Sequence, residues 1–118
     1  MKTQTAQERR RLKRQMLAYY LPVLEKKTRQ IIGHLVDMSP VGFLMDAKIP
    51  IQLKVEYDLH LDFMEAVLGK DSLEFKARSK WCRQDAITPF LYNSGFEITE
   101  IAPDGIEVIK RIAEKYSA

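Results

Sequence analysis

Leu73-Glu74-Phe75-Lys76-Ala77-Arg78-Ser79-Lys80-Trp81 puts apolar or small side chains on every odd position and charged ones on every even position. A period of two held this long belongs to a strand with one face on a core and the other in water. Ile51-Gln52-Leu53-Lys54-Val55-Glu56-Tyr57-Asp58 repeats the pattern and is expected to form a second such strand. Upstream, residues 16–24 are apolar on both parities, and Pro22 argues against a helix there. The polar turn Glu25-Lys26-Lys27-Thr28 leads into a returning strand at 29–36, where Gly33 marks a bulge. Short strands are expected at 41–45 and 90–98, the latter with a bulge at Gly95. Residues 59–63 can extend a strand, while 64–68 can close one helical turn before Gly69.

The C-terminal pattern changes period. Asp104-Gly105-Ile106-Glu107 fits a capping box, with Asp104 at the N-cap and Glu107 three residues on. Ile106, Ile109, Ile112, Ala113 and Tyr116 follow at helical spacing and predict an amphipathic helix over about 103–117. Six strands and one terminal helix predict an all-β fold: a six-stranded antiparallel barrel, closed to remove its edges, with the helix over one face or mouth. The expected organisation is a basic arm at 1–15 followed by one domain at 16–118.

Composition agrees with a soluble globular domain: 118 residues, 46% apolar and 30% charged. Without a long apolar run or a signal-peptide pattern, the expected location is the cytoplasm, with no membrane insertion. A single cysteine, Cys82, excludes an internal disulfide and reads as a packing residue beside Trp81. His34 and His60 stand apart and read as surface or packing residues, so no metal site is expected. No nucleophile and base can be paired, so the expected function is not catalytic. Charge is uneven. Residues 1–14 hold six basic side chains against Glu8, whereas the remainder has a net charge of −2. A basic arm on a slightly acidic body implies an anionic partner met by the arm.

Two motifs narrow that partner. Asp37-Met38-Ser39-Pro40-Val41-Gly42 places a carboxylate, a hydroxyl and a glycine at a strand-to-strand bend. Asp37 and Ser39 share parity, and so share a face if the strand runs that far. A carboxylate accepts two parallel hydrogen bonds, which suits the N1–H and N2–H edge of guanine. Gly42 would supply a positive φ or bare backbone for a flat ring. The plain alternative is a turn whose Asp and Ser bond their own backbone. Upstream, Arg9-Arg10-Arg11-Leu12-Lys13-Arg14 contains an R-x-x-x-R pair, Arg10 and Arg14, separated from Asp37 by twenty-two residues. Guanidinium forks bind phosphate bidentately and hydrogen-bond guanine O6 and N7.

With both motifs in this order, the sequence resembles the PilZ domain family of bacterial cyclic di-GMP receptors, from about Arg9 to the C-terminal helix. The resemblance implies the same six-stranded barrel with a C-terminal helix. It implies that Arg10 and Arg14 bind phosphate and guanine, while Asp37, Ser39 and Gly42 hold a guanine on the barrel surface. Arg9, Arg11 and Trp81 are secondary candidates, although Trp81 also suits a core or rim position. Met38 and Pro40 depart mildly from the family pattern. The expected protein is a receptor and adaptor: cyclic di-GMP orders the arm against the barrel and changes the surface met by a downstream protein. Rival readings are a protein-interaction module that binds no nucleotide, and an oligonucleotide-binding small barrel. The acidic body speaks against the latter, and no nucleic-acid partner is expected.

Overall fold

In the computed structural model, which describes residues 21–115, the alternating stretch lies within the longest strand. The strands are β1 (Pro22–Glu25), β2 (Ile31–Ser39), β3 (Gly42–Ala47), β4 (Glu56–Val67), β5 (Lys70–Gln84) and β6 (Tyr92–Glu100), followed by the helix α1 (Pro103–Lys115). They close a barrel in the order β1-β2-β3-β6-β5-β4, every pairing antiparallel, with β1 sealing the seam against β4. The arm at 1–15, with Arg9, Arg10, Arg11 and Arg14, lies outside the described residues, as do 16–20 of the first expected strand and Tyr116.

Along β5, Leu73, Phe75, Ala77 and Ser79 are buried while Glu74, Arg78 and Lys80 are exposed, as a half-buried strand requires. The inward faces meet in one core. Phe43 stacks on Phe96 at 4.8 Å between ring centroids and meets the Phe75 ring edge-on at 5.7 Å. Leu35, Met45, Leu59 and Leu61 fill the space around them. The helix completes this core with Val108, Ile109 and Ile112, packed mainly against β2.

Three local expectations are corrected. Only 56–58 of the stretch 51–58 is strand. Lys54 has φ 58°, a left-handed conformation that no strand accommodates. The cause is Ser79, which alternation turns into the core with a hydroxyl to satisfy. Its Oγ donates to the Gln52 carbonyl at 2.6 Å and accepts from the Val55 N–H at 3.3 Å. Backbone bonds from Lys54 N to Ser79 O (2.9 Å) and from Ser79 N to Val55 O (3.1 Å) fasten the loop further. A buried hydroxyl left without partners is costly, and here it draws the segment out of regular pairing.

The helical turn expected at 64–68 is strand instead. β4 runs through it with a register break between Asp62 and Val67, then turns at Leu68-Gly69 (φ 51° and 78°) into Lys70. Two successive positive φ values define the tight turn whose twist matches a hairpin. The helix, finally, begins at Pro103, so Asp104 sits in the first turn rather than at the N-cap. Proline suits that first position because its missing N–H would have had no helical partner. The Asp104 carboxylate instead meets Lys70 Nζ at 2.9 Å, which holds its pKa below the usual carboxylate range.

Candidate ligand-binding face

Strand register assembles a surface that the linear sequence scatters. Asp37 pairs with Leu44, Leu44 with Gly95, and Gly95 with Trp81, giving one row across β2, β3, β6 and β5. The adjacent row, Met38–Phe43–Phe96–Ser79, is buried in the barrel, so the Asp37 row faces outward. Asp37 is nevertheless fully buried, and it is engaged, as a carboxylate withdrawn from water must be. At the other end, the Trp81 ring lies against Gly95 so closely that a Cβ there would collide with the indole. Trp81 owes this position to the bulge at Lys80, where the β5–β6 register slips between Ser79 and Trp81. The Arg83 guanidinium packs on the same indole, 4.5 Å from the ring centroid.

A second outward row runs His34–Asp46–Asn93–Arg83. Asn93 Nδ2 donates to Asp46 Oδ1 at 2.7 Å, which helps to hold a second largely buried carboxylate on this face. The face thus combines Asp37 and Asp46 with an indole and an exposed guanidinium. The carboxylates can accept hydrogen bonds from a base edge once a ligand displaces what covers them, and the guanidinium can bind an anion, whereas the indole, which lies against Gly95 and carries Arg83, takes a base ring only when Arg83 swings aside. Asp46, Asn93 and Arg83 were not singled out by sequence. Their alternation in outward-facing positions was the only signal, and it does not say which strands are neighbours.

Ser39 and Gly42 are placed differently. β2 does reach Ser39, so Asp37 and Ser39 share the outer face. The Ser39 hydroxyl, however, donates to the Gly42 carbonyl at 3.2 Å across its own turn. Among the described glycines only Gly69 has positive φ, so Gly42 is not needed for a left-handed bend. It is needed because β3 runs so close to β6 that a Cβ would overlap the Phe96 carbonyl oxygen. Both residues therefore have a role in the barrel itself. Arg10 and Arg14 cannot be related to this face, since they lie outside the described residues.

Other polar clusters differ in kind. An open groove of about 520 Å³ beyond the β2–β3 turn is lined by Pro40, Val41, Ile98 and Ile101 together with Glu97 and Glu100. Its carboxylates make it a poor anion site. His60, which is buried, reaches Glu74 Oε2 with Nδ1 at 2.9 Å and Asp62 Oδ1 with Nε2 at 2.7 Å. It is a buried polar node, where a surface or packing residue was expected. Glu74 also lies within 3.5 Å of Lys26 Nζ and 3.8 Å of Arg29. The hydrogen bond from His60, with Lys26 beside it, holds the Glu74 carboxyl below its ordinary range. A depressed pKa stabilises the fold above the unfolded value of about 4.3 and is lost as pH falls through the folded one. The melting-temperature gap between wild type and Glu74→Gln should shrink as pH falls below about 4.3. A gap that stays constant down to pH 2.5 on differential scanning calorimetry would contradict this.

Comparison with known proteins adds the fold. No protein-family model matches the chain, and no curated protein matches it in sequence. Among solved structures it is similar to the inhibitor of motility MotI/DgrA of Bacillus subtilis. The TM-score is 0.66 and the identity 17%, over 87% of this chain and 51% of that one. At this identity the likeness establishes the shared barrel-and-helix fold. The chain spans about half the length of that neighbour.

Proposed function

We propose that the protein is a PilZ-type receptor for cyclic di-GMP, acting as a regulatory adaptor rather than an enzyme. The observation that carries this reading is the outward row Asp37–Leu44–Gly95–Trp81, with a carboxylate at one end and an indole at the other. Guanine offers two adjacent donors to a carboxylate and a flat ring to an indole. The ligand's phosphates require cations, which the arm supplies through Arg10 and Arg14, with Arg9 and Arg11 beside them. The proposed output is a change of surface when the nucleotide draws the arm onto the barrel. Likeness to an inhibitor of motility fits regulation through a partner protein, and it leaves the partner of this chain to be found.

The roles of Ser39 and Gly42 within the turn favour a second reading, a PilZ-like interaction module that binds no nucleotide. Titration calorimetry separates the two. Cyclic di-GMP should bind saturably with whole-number stoichiometry and quench the single tryptophan, Trp81. Cyclic di-AMP, whose bases lack the paired N1–H and N2–H donors, should bind at least tenfold more weakly. No heat and no thermal shift at millimolar cyclic di-GMP would leave the interaction module standing.

A further inference from the structure

Ile87 and Phe90 are 90% and 82% exposed in the loop between β5 and β6. The loop is held in that shape. Asp85 Oδ2 accepts from the Ile87 and Thr88 N–H groups at 3.0 and 2.9 Å, and Gln84 Nε2 donates to the Pro89 carbonyl at 2.6 Å. Asp85 N and Leu91 N bond across the loop to Leu91 O (2.7 Å) and Thr88 O (3.1 Å). Ala47 pairs with Tyr92 and Tyr92 with Gln84, so the loop after β3 leaves the barrel alongside this one. It displays Ile49, 67% exposed. Two adjacent loops therefore project three large apolar side chains from one pole of the barrel.

Charge at this pole is opposite to that of the body. Segments 48–55 and 80–91 hold four basic residues (Lys48, Lys54, Lys80, Arg83) against one acidic residue, Asp85. The rest of 15–118 holds nine basic residues and fourteen acidic ones. The four cations are exposed, and none forms a salt bridge among the described residues. Lys48 and Arg83 flank the tips, while Lys80 lies about 13 Å back along β5 by strand rise.

We infer that this pole docks on an anionic lipid surface, with Ile49, Ile87 and Phe90 entering the headgroup boundary and Lys48 and Arg83 meeting lipid phosphates. Projecting apolar tips with a cationic collar match what a membrane interface binds, and the acidic body is repelled from the same surface, which orients the molecule. A protein groove would need a concave partner; a lipid surface needs only that the tips share a plane.

Co-sedimentation of the full chain tests this, with vesicles of phosphatidylcholine alone or with one-third phosphatidylglycerol. Wild type should partition onto the anionic vesicles and be released at 0.5 M salt. Ile87→Ser/Phe90→Ser should lower the partition coefficient at least tenfold with melting temperature unchanged, since both side chains are exposed. Lys48→Glu and Arg83→Glu should each lower it roughly fivefold or more. The inference is overturned if wild type stays in the supernatant. It is also overturned if the tip variant sediments equally well, leaving the basic arm as the sole anchor. Loss of self-association in the tip variant without an effect on vesicles would overturn it too, by making a second copy the occupant. Cyclic di-GMP titration of the tip variant keeps this result separate from the receptor reading.

Discussion

Gly42→Ala is expected to lower the unfolding free energy by about 2–3 kcal/mol, a drop of roughly 10–15 °C in melting temperature. The single added carbon would overlap the Phe96 carbonyl oxygen, and both groups belong to backbone held in a ladder. A flexible side chain could swing away at little cost. The Phe96 carbonyl belongs to a strand fixed to β3 by the stacked Phe43 and Phe96 rings, and it can move only by prising β3 from β6. Binding should respond differently from stability. If Gly42 serves packing alone, cyclic di-GMP affinity per folded molecule should change less than threefold at low temperature. If bare backbone there also cradles a ring, affinity and melting temperature fall together. An unchanged midpoint in urea or heat would show that β3 and β6 can separate at no cost, contrary to the packing described.

What could be read from the sequence follows from the range of each cause. Alternation along 73–81 is a local property of one strand, and β5 forms there as expected. The stretch 51–58 alternates almost as well, yet 51–55 leaves the sheet because Ser79, more than twenty residues away, needs partners for a buried hydroxyl. Nothing in 51–55 itself announces that demand. Leu53, placed inward by pattern, is about half exposed as a result. The 64–68 stretch failed through a local ambiguity, since Met64-Glu65-Ala66 suits a helix and only the two-residue turn at Leu68-Gly69 decides for a hairpin.

The candidate face divides in the same way. Asp37 and Ser39 were legible from parity once β2 was known to reach them. The contact between Trp81 and Gly95, and that between Asn93 and Asp46, depend on which strands become neighbours after the barrel closes. β3 pairs with β6 across the two strands, β4 and β5, that lie between them in sequence, and register there is set by the whole core. Gly95 was read as a bulge in its own strand. The extra residue is Lys80 on the partner, and Gly95 is the flat floor beneath the displaced indole.

Arg14→Ala and Asp37→Ala should each weaken cyclic di-GMP binding by about ten- to a hundredfold, because each removes charge-assisted hydrogen bonds worth about 1.5–3 kcal/mol. Together, if they act independently on opposite parts of the ligand, they should cost about a hundred- to ten-thousandfold. Asp37 already has partners in the fold, so the nucleotide must exchange with them, and the measured loss will sit toward the lower end. Asp37→Asn keeps one acceptor oxygen for a guanine N–H and should lose less than the alanine variant. Because Asp37 is fully buried, each variant's melting curve must accompany its titration. A loss that merely tracks the unfolded fraction assigns Asp37 to stability. If both single variants bind as wild type does, neither the arm nor the outward row touches the nucleotide, and the receptor reading fails whatever the barrel resembles.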